Sequence, residues 1–86
     1  MSDVKLLSEP TNYAVVHLPG RAHPGVVFQG DSLHSFIADL QEAAMANDPD
    51  EKALSLSDVI ERLQAVRAQY EMVLEREGLP LPYNRS

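Results

Sequence analysis

The stretch from Tyr13 to Leu33, YAVVHLPGRAHPGVVFQGDSL, decides the fold of this chain. Residues 13–18 and 26–29 are rich in β-branched and aromatic side chains, which strands favour. Pro-Gly pairs at 19–20 and 24–25 punctuate the connection between these runs, and its length suits an antiparallel hairpin. The Gly-Asp-Ser that follows opens a helix. We predict Asp31 as its N-cap, because the carboxylate can accept from a free backbone N–H of the first turn.

Residues on the N-terminal side extend the β portion. Val4–Ser8 is a candidate third strand, and Glu9–Asn12 has the composition of a turn. Along the strand at 13–18, both alternating sets of side chains are mostly apolar. We therefore expect both faces of this strand to be covered by other parts of the structure.

The first predicted helix covers about Ser32–Ala46, and the proline at position 49 ends it. Its apolar residues recur at spacings of three and four, which is typical of one buried helix side. These residues are Leu33, Phe36, Ile37, Leu40, Ala43 and Ala44.

A polar connection at Asp50–Ser57 separates this helix from a second one, which is predicted to start near Ser57 or Asp58 and to run to Glu77. Gly78 is predicted as its left-handed stop. Residues 79–86 form an extended, proline-containing tail. The apolar residues of the second helix have heptad spacing. They are Leu56, Val59, Leu63, Val66, Tyr70 and Val73.

These elements predict an α+β fold for a single domain spanning residues 1–86. An antiparallel β-hairpin or three-stranded sheet is followed by two antiparallel helices. The chain has 86 residues, 44% of them hydrophobic, and no cysteine, which excludes a disulfide framework and a cysteine-based zinc site. No apolar run is long enough to span a membrane. A reduced, cytoplasmic location is the expectation.

The net charge of −6 disfavours binding to nucleic acid, because phosphate backbones would be repelled. Most of this charge lies in residues 39–86, where ten acidic and five basic residues leave a net charge of −5. An acidic surface suits a basic protein partner, although solvated acidic residues are also common on ordinary surfaces.

The length of the second helix, compared with the diameter of so small a protein, predicts a homodimer. A globule of this length is about 30 Å across, and the second helix is itself about 30 Å long. The shorter first helix cannot cover the whole apolar stripe of the second, so either the tail or a second subunit must cover the rest. We expect a second subunit, at helix two or at a free face of the sheet, with a self-covered monomer as the alternative. The expected interface residues on helix two are Val66, Tyr70, Val73 and Leu74.

The loop from Gly20 to Gly25 is a candidate anion site together with the start of the first helix. The residues that could bind a carboxylate or phosphate there are Arg21, His23, Gln29 and Asp31. An ordinary hairpin with a solvated arginine is the simpler interpretation, since the loop matches no phosphate-binding motif. The three histidines lack metal-site spacing, and the serines lack the context of a nucleophile. We therefore expect no catalytic residue, no metal and no cofactor.

Three segments carry a resemblance to a known family. LPGR at Leu18–Arg21, PGVV at Pro24–Val27 and QGDSL at Gln29–Leu33 resemble the signature of a small bacterial family of uncharacterised proteins. The resemblance covers about half of the chain. It implies a bacterial source and a shared fold, and it carries no catalytic or binding residue over to this sequence.

Two functions compete on this basis. The first is a non-enzymatic interaction, regulatory or immunity-type protein that acts as a homodimer and uses its acidic helical face. The second is a small-ligand binding module or minor enzyme with its site at the Gly20–Gly25 loop.

Overall fold

The computed structural model describes residues 3–8 and 13–84 of the chain. In chain order the elements are strands β1 (Lys5–Leu6), β2 (Tyr13–His17) and β3 (Gly25–Phe28), and helices α1 (Gly30–Met45) and α2 (Pro49–Arg76). A three-stranded antiparallel sheet followed by two helices confirms the predicted α+β fold. The turn predicted at Glu9–Asn12 lies outside the described residues.

The strand order in the sheet is β1-β2-β3, so β2 is central and β3 lies at one edge. Tyr13 stands opposite Phe28, and Val16 stands opposite Gly25. The rings of Tyr13 and Phe28 are 6.4 Å apart between centroids, a cross-strand aromatic pair that helps to fix this register. Strand β1 has only two residues and is shorter than the candidate strand Val4–Ser8.

Helix α1 begins two residues earlier than predicted, at Gly30, with Gln29 as its N-cap. The prediction of Asp31 as the N-cap is therefore wrong. Because the helix has already begun, Asp31 lies within the first turn. There its charge interacts favourably with the helix dipole, but its side chain does not cap the helix.

Helix α2 begins at Pro49, eight or nine residues before its predicted start near Ser57 or Asp58. Asp48 is the N-cap, and its carboxylate accepts a hydrogen bond from the N–H of Asp50 at 3.0 Å. Proline is favourable at the first helical position because its missing N–H would have no intrahelical partner there. The segment Asp50–Ser57 is thus helical, and the prediction of a polar connection is wrong. With 28 residues, α2 is about 42 Å long.

Gly78 ends α2 as predicted, in the left-handed conformation with φ of 71°. The N–H of Gly78 bonds to the carbonyl of Glu75, and the N–H of Leu79 bonds to that of Leu74. These two bonds form a Schellman motif, which satisfies carbonyls that the helix end leaves free. The turn also directs the tail back onto the core, where Leu79 and Leu81 pack.

The core lies between the inner face of the sheet and the C-terminal half of α2. It consists of Leu7, Val15, Tyr70, Val73 and Leu74, covered by Val26 and by the tail residues Leu79 and Leu81.

The four residues predicted at a subunit interface do not line an open surface. Val66, Tyr70, Val73 and Leu74 are all buried within the chain itself. The reason is that α2 extends further towards its N-terminus than predicted, so the sheet and tail reach its C-terminal half and leave its N-terminal half projecting.

The molecule is elongated, with extents of 51 × 29 × 20 Å and a Cα radius of gyration of 15.6 Å. A compact domain of this length has a radius of gyration of about 12 Å. Its accessible surface is 6412 Å², compared with about 5,000 Å² for a monomeric protein of this mass. The single chain therefore exposes about 1,400 Å² more surface than its size requires.

Leu74 tests the position of the core, because its side chain is fully buried whereas Leu54 on the same helix is 73% exposed. We expect Leu74→Ala to lower the free energy of unfolding by about 2–5 kcal/mol, since it leaves a cavity. We expect Leu54→Ala to change it by less than about 0.5 kcal/mol. Urea unfolding followed by circular dichroism measures both, and equal effects would contradict the assigned core.

Candidate functional site

The residues predicted to bind an anion lie on two separate parts of the structure. Arg21 and His23 are in the exposed connection between β2 and β3, whereas Gln29 and Asp31 are at the start of α1. The His17 Nε2–H donates to the carbonyl of Arg21 at 2.8 Å, a bond that closes the loop as part of the hairpin. Among these four residues, only Asp31 lines the polar groove described next.

The polar groove runs between α1 and α2, beside the first turn of α1, and has a volume of about 480 Å³. Its polar lining residues include Asp31, Ser32, Ser35 and Arg62. Arg62 is the cation that an anion would meet, but two carboxylates already hold its charge. The groove therefore offers little net attraction for a carboxylate or phosphate.

Arg62 connects the two helices. Its Nη2 donates to Asp39 on α1 at 2.6 Å, and its Nε lies 3.4 Å from the carboxylate of Asp58 without a hydrogen bond. Its guanidinium carbon also stands 5.1 Å from the centroid of the Phe36 ring, in a cation–π arrangement. Phe36 of α1 also contacts the sheet. Its ring meets the ring of Phe28 edge-on, with 5.8 Å between the two centroids.

The pair of helices has two unlike sides. The side that carries the polar groove also carries a second groove lined by Asp39, Glu42, Ser55 and Asp58. The opposite side is apolar, and we call it the helix face. It is formed by stripes with the same i, i+4, i+7 spacing on both helices, and its residues are Leu33, Ile37, Leu40 and Ala44 of α1 with Leu56, Ile60 and Leu63 of α2.

The helix face is open to solvent. Leu33, Ile37 and Ile60 are each about half exposed, at 49%, 47% and 50%. The sequence placed Leu33, Ile37 and Leu40 in one buried stripe with Phe36 and Ala43. The structure divides that stripe, because only the side with Ala43 packs against α2. The width of the apolar stripe was the signal for this surface, since one neighbouring helix cannot cover so wide an arc.

The outer face of the sheet is a second apolar surface, and it is open to solvent at its two outer strands. Side chains alternate between the two faces of the sheet along each strand. Ala14 and Val16 of β2 therefore lie on the face away from α2. Their cross-strand partners, Val27 and Leu6, lie on the same face. Leu6 and Val27 are 52% and 51% exposed. On β2 itself, however, Val16 is buried at 7% exposure and Ala14 is half-buried, so the expectation that both faces of β2 are covered agrees with these two residues, although both helices lie on the inner side.

An apolar groove of about 350 Å³, which we call the edge groove, lies between β3 and α2. Its lining includes Val26 and Phe28 of β3, Leu63 and Arg67 of α2, and Tyr83 of the tail. Leu63 belongs to both the edge groove and the helix face, so these two surfaces are continuous.

Tyr70 connects α2 to the residue before β3, beside the edge groove. Its hydroxyl donates to the carbonyl of Pro24 at 2.7 Å, and its ring stacks on that of Tyr83 at 6.5 Å. Burial raises the pKa of Tyr70 above its usual range. Burial also raises the pKa of Tyr83, and its hydrogen bond with Glu71 adds to the effect.

Within residues 3–8 and 13–84, no group of three or more histidine and carboxylate side chains is arranged to hold a metal ion. In the same part of the chain, neither helix combines the length and the apolar character that crossing a bilayer requires.

Comparison with known proteins identifies one family. The profile of a family described as "Family of unknown function (DUF6959)" matches residues 1–83. The recognition of an uncharacterised family in the sequence is thereby confirmed. No curated protein and no solved structure matches the chain.

Arg62 tests the connection between the helices. We expect Arg62→Ala to lower the free energy of unfolding by about 1–2 kcal/mol, since an ion pair and a cation–π contact are lost at a partly exposed site. Arg67→Ala on the same helix removes an exposed arginine, and we expect a change below about 0.5 kcal/mol. Urea unfolding measures both, and an effect of Arg67→Ala as large as that of Arg62→Ala would refute this role.

Tyr70 makes stability depend on pH. Because its pKa is higher in the folded protein than in the unfolded chain, its neutral form favours folding below the unfolded pKa of about 10. This contribution is lost as the pH rises through the folded-state pKa. We expect the free energy of unfolding to fall with pH above about 10, and less steeply in Tyr70→Phe. Denaturant unfolding at several alkaline pH values tests this, and parallel curves for the two proteins would contradict it.

Proposed function

Since the chain belongs to the family of unknown function DUF6959, we propose its function from its surfaces: it is a non-enzymatic protein–protein interaction module that acts as a homodimer. The helix face is the surface that the second copy covers. The observation that carries this proposal is the set of apolar residues at matching spacing on α1 and α2, none of them charged and most of them open to solvent.

The helix face has the properties of a bundle seam. Leu33, Ile37 and Leu40 on α1 follow the same spacing as Leu56, Ile60 and Leu63 on α2. Two antiparallel helices that each present such a stripe can pack against an identical pair as a four-helix bundle. A two-fold axis then brings each stripe against apolar residues of the other copy.

The exposed area supports the same conclusion. Each copy exposes about 1,400 Å² beyond what its mass requires. A stable interface buries about 800 Å² on each partner. The excess is therefore large enough for one standard interface, and part of it would remain for a further contact.

A non-catalytic role is supported by the use of the polar side chains. Arg62, the cation of the polar groove, is bound by carboxylates and stacked on Phe36, so it holds the helices together rather than a substrate. Arg21 and His23 belong to a loop that His17 closes, apart from the start of α1. These arrangements favour the interaction module over the ligand-binding alternative.

The polar side of the helices stays outside in this dimer. It carries Asp31, Asp39, Glu42 and Asp58, and only Arg62 balances them in the described contacts. Such a surface associates faster with a basic protein than with nucleic acid. We place this activity in the cytoplasm, in line with the absence of cysteine.

Ile37 and Ala38 provide a matched test of the helix face. Both are exposed residues of α1, but Ile37 lies on the helix face and Ala38 lies away from it. We expect Ile37→Glu to weaken dimerisation at least about tenfold, because a carboxylate would be buried in an apolar contact. We expect Ala38→Glu to leave the dimer intact.

Sedimentation equilibrium over a range of micromolar concentrations measures the dissociation constant of both variants and of the unchanged protein. Circular dichroism confirms that both variants keep the helices. A monomer for the unchanged protein, or equal dissociation constants for the two variants, would overturn the proposal.

A further inference from the structure

Strand β3 leaves one edge of the sheet unpaired. Its only partner in the described sheet is β2, on one side. Its other side borders the edge groove rather than another strand. The backbone N–H and carbonyl groups of β3 that point to this side therefore have no hydrogen-bonding strand in the described sheet.

The register shows which groups point outwards. Val15 uses its backbone towards β1, because its carbonyl accepts from Leu7 N–H at 2.8 Å and its N–H donates to Ser8 Oγ at 2.9 Å. Its partner on β3, Val26, is therefore in a pair without mutual hydrogen bonds and points its N–H and carbonyl away from β2. Phe28, two residues on, points the same way.

The Tyr70 hydroxyl confirms this direction independently. It bonds to the carbonyl of Pro24, two residues before Val26, from the α2 side of the sheet edge. The backbone carbonyls therefore point in the same direction at Pro24, Val26 and Phe28. Of these three carbonyls, that of Pro24 accepts the hydrogen bond from the Tyr70 hydroxyl.

The two sheet edges are treated differently. Strand β1 is only two residues long and includes Lys5, which are features that prevent edge-to-edge pairing. Strand β3 is the sequence GVVF, with neither a charged residue nor a proline. Natural proteins rarely leave such an edge open to solvent, because it pairs readily with another strand.

We infer that β3 of one copy pairs antiparallel with β3 of a second copy, so that the homodimer contains one continuous six-stranded sheet. This inference rests on the proposed homodimer and specifies how its sheets meet. The second copy is the occupant because the open edge adjoins the helix face through Leu63, so a single two-fold contact covers the edge and the adjoining part of that face.

The pairing has a simple geometry. A two-fold axis beside Val27 places Val26 opposite Phe28 of the other copy, and Phe28 opposite its Val26. Each of these pairs exchanges two hydrogen bonds, so all the outward groups of Val26 and Phe28 are satisfied. The Val27 side chains then lie beside each other on the outer face of the sheet.

Hydrogen exchange in the unchanged protein tests this pairing without a substitution. In the dimer we expect the amides of Val26 and Phe28 to be protected, and to lose at least about tenfold of that protection on dilution below the dissociation constant. The amide of Val27 bonds within the chain to β2 and serves as the internal control, with protection that dilution leaves unchanged.

Val26→Pro is the complementary variant. It removes an N–H that the β2–β3 ladder does not use, so the hydrogen bonds between β2 and β3 are kept while the edge is blocked. We expect its dimer to dissociate at least about tenfold more readily by sedimentation equilibrium. Should Val26→Pro fail to fold by circular dichroism, the exchange experiment decides alone.

The outcomes separate the two proposals. A dimer in which Val26 and Phe28 exchange as fast as unpaired amides would overturn the continuous sheet and leave the proposed homodimer standing. A dimer as tight in folded Val26→Pro as in the unchanged protein would do the same. A protein that stays monomeric at all concentrations would overturn both.

Discussion

The length of helix α2 is the constraint on which the rest of the structure depends. At about 42 Å, this 28-residue helix is longer than the 16-residue helix α1 and the short strands that this chain packs against it. The sheet and the tail cover its C-terminal half, around Tyr70 and Leu74. Helix α1 covers one side of its N-terminal half, where Ala43 and Val59 are buried. The other side of that half, with Ile60 half exposed, is left open by the described part of the chain.

The order and type of the elements follow from local signals, and these were readable in the sequence. Alternating β-branched residues predicted β2 and β3, and Gly78 predicted the end of α2. The start of α2 was missed because Pro49 was interpreted only as the end of a helix. Proline ends one helix and begins another equally well, and the N-cap at Asp48 decides between the two.

The site was less predictable, because its contacts join residues far apart in the chain. Asp58 and Arg62, which lie 3.4 Å apart, are one helix turn apart in sequence, so their spacing alone implies this contact. Spacing could not predict Asp39 or the ring of Phe36, since both depend on how α1 packs against α2. For the same reason, the apolar stripe of α1 could be found, but not the line that divides its buried part from its exposed part.

The division of that stripe links folding to association. In a chain of this size, the apolar area buried internally leaves only a small margin of stability. Covering the helix face and the β3 edge with a second copy adds buried apolar area without lengthening the chain. In the proposed homodimer, stability would rise with protein concentration, because the second copy would bind the folded state and not the unfolded one. The proposed contact would thus stabilise the projecting half of α2, while the small sheet anchors the other half.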